Sequence, residues 1–245
     1  ELTKKPAFWL MTAGATIAAF CGYGISSFQS IFFVRSHGIT AGEAAIWINT
    51  PVALAAAFGT FGTGWIATRL YKIYPGAIAW VPAIGLGISV PFYLFAFTTE
   101  SLLWAGIGLS IAGFSKYGYL AAQYTIGQGV VTMRVRATAT AVLLFIVNLL
   151  GYGFGPLFIG AISDVFFVNG ITELGVTIEE LSRNQCHPTS IGLLNANLQE
   201  ACGAVYAQSL QSAILITASL YAVCSLFFLL TWPRLSKDMV DRNTD

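Results

Sequence analysis

The chain has 245 residues, of which 56% are apolar and only 9% charged, and its formal net charge is +1. A soluble domain carries about 25% charge, so this composition excludes a water-soluble domain built around one core. The near-zero net charge offers nothing to nucleic acid.

The apolar residues fall into six stretches, at 7–34, 44–67, 73–97, 102–126, 137–168 and 210–232. A bilayer core of about 30 Å needs roughly 20 such residues per helix, whereas strands of a membrane barrel need about ten. The stretches therefore predict an all-α membrane protein with six transmembrane helices, and 169–209 is expected to form an extracytoplasmic loop insert. If residue 1 is cytoplasmic, that side holds Lys4, Lys5, Arg69, Lys72, Arg134, Arg136, Arg234, Lys237 and Arg242, and the other side holds Arg35 and Arg183. The positive-inside rule then places both termini of the segment in the cytoplasm of a multi-pass plasma-membrane protein, or of the inner membrane if the source is bacterial. The six tryptophans, at 9, 47, 65, 80, 104 and 232, all lie near predicted span ends, as an aromatic belt requires. The chain opens on Glu1, not Met, which reads as part of a longer polypeptide.

In chain order, the first span carries Tyr23, Ser26, Ser27, Gln29 and Ser30. Serines can bond to their own helix backbone, so Tyr23 and Gln29 are the stronger candidates for lining a cavity. Gly59, Gly62 and Gly64 recur at helical spacing in the second span, as packing residues. Very short links, such as that between the third and fourth spans, predict antiparallel neighbours in sequence order.

In the fourth span, Lys116 lies near the predicted midplane, where an ammonium costs at least about 2.5–3.5 kcal/mol. It needs a polar cavity, a partner or a substrate; the bland alternatives are snorkelling and pairing inside the bundle. Tyr119 and Gln123 follow on the same helix face. No acidic residue accompanies Lys116 at that depth in the sequence, so its counterion is a substrate, a solvent anion or a carboxylate outside this chain. The fifth span has Asn148 as a further cavity candidate, Gly151, Gly155 and Gly160 as packing residues, and Pro156, which should kink it.

In the outer loop, Thr177–Glu180 and Asn197–Glu200 read as helix-start signals, predicting a small, partly helical cap. Cys186 and Cys202 share that loop: a disulfide is permitted there, and two free thiols are the alternative. Cys21 and Cys224 lie in spans as packing residues.

Enzyme readings fail on residue type. The only histidines, His37 and His187, fall in predicted loops, away from any span serine. Ser115 and Lys116 are adjacent and point about 100° apart, so they make no dyad. No zinc motif, phosphate-cradling loop or in-span haem ligand occurs, so no metal or cofactor is expected.

At the boundary of the second span, Gly64-Trp-Ile-Ala-Thr68-Arg69-Leu-Tyr71-Lys72 resembles the G-x-x-x-D-R-x-G-R/K signature of the major facilitator superfamily. It keeps Gly64, Arg69 and the basic Lys72, and departs at Thr68 and Tyr71. Arg136, Asn148, Gly151, Gly155, Pro156, Gly160 and Asp164 follow the pattern of that family's eleventh helix, and the turn at 33–44 resembles that of Spinster-like members. The resemblance covers most of the chain. It implies the C-terminal six-helix half of a twelve-helix transporter, with an N-terminal half as its missing partner. It also implies that the first and fourth spans line a central cavity, and that Gly64, Arg69, Lys72 and Arg136 form a conformational-switch motif. The expected activity is secondary active transport, as symporter or antiporter, of a small organic solute that is anionic or amphipathic. A non-transporting scaffold or sensor, and a stand-alone six-span homodimer, are the alternatives.

Overall fold

The computed structural model describes residues 2–74, 76–173, 186 and 196–240, and every regular element among them is helical. Helix α1 runs Pro6–His37. Proline suits its first turn, where a missing N–H leaves no bond unmade. The helix stops at Gly38, which takes φ 65°, a left-handed conformation that costs glycine little. Helix α2 follows over Ala41–Tyr71. Thr40 and Glu43 cap its start reciprocally: Thr40 Oγ1 accepts from the Glu43 N–H, and the Glu43 carboxylate accepts from the Thr40 N–H.

Helix α3 spans Ala77–Thr98, α4 spans Leu102–Lys116 and α5 spans Gly118–Gly129. Helix α6 spans Met133–Glu173 and α7 spans Ala196–Asp238. Two of these helices widen to i→i+5 bonding, at Ala45–Asn49 in α2 and at Val147–Tyr152 in α6. A proline follows each wide turn, Pro51 two residues after the first and Pro156 four residues after the second. A proline ring clashes with the carbonyl four residues back and gives it no hydrogen bond, and the widened turn relieves that conflict.

Among the described residues, five helices are long and apolar enough to cross a membrane: α1, α2, α3, α6 and the 201–238 part of α7. The chain is thus a multi-pass membrane protein. The predicted fourth span, 102–126, is not one helix but two, broken at Tyr117. At 15 and 12 residues, α4 and α5 are about 22 and 18 Å long, each short of the bilayer core. The break falls where the chain crosses α2: a Cβ on Gly118 would collide with the Thr63 side chain. The helices of the first, second, fifth and sixth spans overrun the predicted limits, whereas that of the third starts at Ala77, four residues later than predicted. The helix predicted at 137–168 runs on to Glu173, and that predicted at 210–232 starts at Ala196, so the 169–209 insert is helical at both its ends. Asn197 lies inside α7, not at its cap, and Thr177 and Glu180 lie outside the described residues.

Packing departs from sequence order. Helix α3 does lie against α4, but α1 packs mainly on α7 and α6 and barely touches α2. The main core gathers Phe8, Met11, Phe33, Leu86, Phe97, Leu109 and Phe228. Helix α2 leaves Phe58, Phe61 and Trp65 exposed, and α6 leaves Phe145, Leu157 and Val165 exposed. Small residues let α1 and α6 meet backbone to backbone: a Cβ on Gly24 would stand 2.9 Å from the Gly155 carbonyl oxygen.

The basic ends gather on one side. Asp238 near the end of α7 accepts from the Ala7 N–H at 2.8 Å, an anion on the positive N-terminus of α1. Lys5 Nζ donates to the Asp238 carbonyl at 2.8 Å, and the Val240 N–H to the Gly129 carbonyl at 3.0 Å. Toward the other side, Gln211 Nε2 donates to the Phe97 carbonyl at 2.6 Å. There Cys186 and Cys202 form a disulfide, with Cα atoms 5.1 Å apart, over Phe167 and Ile171. Cys21 and Cys224 are free and buried.

Candidate functional site

A cavity of about 410 Å³ opens where α1, the α4–α5 break and the wide turn of α6 converge. The break ends α4 on Lys116 and starts α5 immediately afterwards, which aims the lysine and the first turns of α5 at one space. On α6, the wide turn carries Asn148 and Tyr152 into the same wall. Of the six residues predicted to line a cavity, Tyr23, Lys116, Tyr119, Gln123 and Asn148 do so.

Gln29 is the exception. Its amide donates to Asn49 Oδ1 at 3.0 Å, and Asn49 Nδ2 donates to Ser30 Oγ at 2.7 Å. This places Gln29 in a polar clasp between α1 and the wide turn of α2, about one turn along α1 from Ser26, which lines the cavity. One helix face does not persist over 32 residues when the neighbours change along it.

Lys116 is 5% exposed. Its Nζ donates to Tyr221 Oη at 3.1 Å and lies 4.8 Å from the Tyr117 ring centre, 5.3 Å from that of Tyr93 and 5.4 Å from that of Tyr221. Among the described residues it pairs with no carboxylate. The charge is therefore held by aromatic faces and one phenol oxygen, partners that attract a cation without neutralising it. Gln123 is 2% exposed, and its Oε1 has no hydrogen-bond partner. A buried acceptor left open costs free energy unless an occupant or water supplies a donor.

The wall thus offers a cation, an open acceptor, an amide at Asn148 and tyrosine rings. It suits a small solute with an anionic group, a hydrogen-bond donor and some apolar surface. Sequence reasoning missed Tyr117, Tyr124 and Tyr152 in the wall, and Tyr93 and Tyr221 behind it. The available signal was five tyrosines inside otherwise apolar spans, each with a hydroxyl needing a partner. Among the described residues no three or more His, Cys, Asp or Glu gather in a metal-binding group.

The predicted switch residues lie toward the basic ends. The Arg69 guanidinium sits over the Trp65 ring at 5.2 Å, and Lys72 is exposed beyond α2. Thr68 Oγ1 folds back onto the Gly64 carbonyl at 2.8 Å, where an aspartate would have offered charge. Gly64 lets α2 approach α5, since a Cβ there would be 3.3 Å from Ala121 Cβ. Arg136 begins the α-helical part of α6 with its Nε buried and without a hydrogen bond.

No protein-family model matches the chain. It is 27% identical over 164 residues to an MFS-type efflux pump of Mycolicibacterium smegmatis, an alignment covering 67% of this chain and 38% of the pump. It resembles the crystal structure of a bacterial homologue of the human lysosomal transporter Spinster in its inward-facing, occupied conformation. That match has 36% identity and a TM-score of 0.89, and covers 99% of this chain and 52% of the homologue. The inward-facing, unoccupied conformation matches at 36% identity and a TM-score of 0.86, covering 97% of this chain and 50% of the homologue. The chain therefore spans less than two thirds of each of these relatives.

Proposed function

Since the chain belongs to the major facilitator superfamily and is Spinster-like, we propose that it is the C-terminal half of a twelve-helix secondary active transporter. The half-length matches to the solved homologue support this, as does the switch motif at Gly64, Arg69 and Lys72. In this reading α4 and α5 cross the bilayer together as one broken helix, giving six crossings, with both termini of the segment in the cytoplasm. An N-terminal six-helix half covers the exposed faces of α2 and α6 and closes the cavity from the other side. The two halves rock about that cavity to expose it to one side of the membrane and then the other.

The solute is small, organic, and anionic or amphipathic. The observation that carries this is the Lys116 ammonium, buried at the cavity wall with no carboxylate partner among the described residues. In a low-dielectric wall an unneutralised cation attracts an anion far more strongly than it would in water. Tyr119, Gln123, Tyr23 and Asn148 supply its polar contacts, and the tyrosine rings contact its apolar part.

The test uses the full-length protein in proteoliposomes, screened with a panel of organic anions and their neutral analogues. Lys116→Ala should lower transport of the anion by at least about tenfold at unchanged protein abundance. Normal transport by that variant would remove Lys116 from the site. Intact mass of the protein from its native membrane tests the half-transporter reading separately. About twice 26.2 kDa is expected, and a mass near 26.2 kDa would favour a six-span homodimer.

A further inference from the structure

Of the residues that hold Lys116, Tyr117 lines the cavity and two others do not. Tyr221 lies on α7 and Tyr93 on α3, and neither contributes to the cavity wall. Both are nonetheless buried against the lysine, with their rings stacked on each other at 5.4 Å and 13°. Tyr221 Oη accepts from Nζ, and the Tyr93, Tyr117 and Tyr221 rings surround the ammonium. On the cavity side, the bare backbone of Gly22 stands close to the pair. A Cβ there would be 3.5 Å from Tyr221 Oη and 3.6 Å from Lys116 Nζ.

We propose that Tyr221, backed by Tyr93, is a positioning residue: it aims the Lys116 ammonium at the cavity and holds it there without neutralising it. This rests on the reading of the cavity as an anion-accepting transport site. A carboxylate in the place of Tyr221 would form an ion pair that a ligand anion must break. A phenol oxygen with aromatic faces fixes the same nitrogen and leaves its charge free to pair with an occupant. Specificity for anions is thereby set partly by two helices that never reach the ligand.

The experiment measures amidination of Lys116 by methyl acetimidate in the full-length protein in membranes, read by mass spectrometry and normalised to exposed Lys72 on the same molecules. Decanoate below its micellar concentration is the anionic probe, and decanol is the neutral control. In the wild-type protein, decanoate should protect Lys116 and decanol should not. Tyr221→Phe removes the accepting oxygen and keeps the ring stack. It should raise the decanoate concentration giving half protection by roughly tenfold, the scale of one charge-assisted hydrogen bond, and speed amidination of Lys116 but not of Lys72. Wild-type behaviour of Tyr221→Phe in both readings, with decanoate still protecting, would overturn the positioning role alone. Failure of decanoate to protect even the wild-type lysine would overturn the anion-accepting cavity, and this inference with it.

Discussion

Replacing Lys116 with methionine should separate stability from transport. An ammonium near the bilayer centre costs about 2.5–3.5 kcal/mol. One charge-assisted hydrogen bond to Tyr221 returns about 1.5–3 kcal/mol, and the nearest ring, that of Tyr117 at 4.8 Å, about 0.5–2 kcal/mol. Gains and cost are of the same size, so the lysine is close to neutral for folding. Methionine fills similar space with no charge to desolvate. Its penalty is the donor lost by Tyr221 Oη, about 1 kcal/mol. A net change within about 1.5 kcal/mol is therefore expected. The loss of about 3–5 kcal/mol that follows breaking a buried ion pair should be absent, because among the described residues no carboxylate pairs with Lys116. Transport should fall at least about tenfold, since the attraction for an anion is gone. The assay pairs thermal unfolding in one detergent with uptake in proteoliposomes at matched protein density. A large fall in unfolding temperature, with transport lost only in proportion to folded protein, would refute the reasoning and make Lys116 a structural residue.

Further expectations concern the scaffold. Gly24→Ala places a methyl 2.9 Å from the Gly155 carbonyl oxygen; backbone cannot swing aside, so α1 and α6 must separate, at about 1–3 kcal/mol, read by thermal unfolding. Cys186→Ser opens a bridge across 16 positions, and loop-closure entropy puts the loss near 3 kcal/mol; reduction of the wild-type protein should reproduce it, and should leave the variant unchanged. Asn49→Ala removes the partner of Gln29 and of Ser30, leaving the buried Gln29 amide open for about 1–3 kcal/mol; a Gln29→Leu, Asn49→Leu double variant should recover part of that stability.

Much of the site was legible because it sits on short stretches of helix. Lys116, Tyr119 and Gln123 lie within two turns, and Tyr23 and Asn148 are polar groups in spans that have few. Each would be costly facing lipid, so each had to face inward, and one cavity collects all five. Gln29 obeyed the same rule and found a different interior, the clasp with Asn49. The rule states that a polar group is buried; it does not state against which neighbour. The break at Tyr117 was illegible for a related reason. No proline marks it, and Ser115, Lys116 and Gly118 around it are residues that a helix tolerates. It arises where α5 passes Thr63 on α2, a contact between residues 55 positions apart in sequence.

The all-helical, membrane-spanning character of the chain and the need to satisfy a buried lysine follow from composition and order alone. Bilayer thickness and the cost of burying charge act on each segment separately, so no knowledge of neighbours is needed to apply them. Which helices touch was decided only by the fold. Short links suggested that α1 would lie on α2, yet it packs on α7, because the small residues and buried rings of α1 find their complement there. That crossing, and the packing of α3 on α7, bring Tyr221 and Tyr93 to Lys116, across a separation of 105 positions in the case of Tyr221. A helical repeat encodes the direction of a side chain around its own axis. The partner it meets depends on the angle and depth at which another helix crosses, and these are set by side-chain packing over the whole bundle.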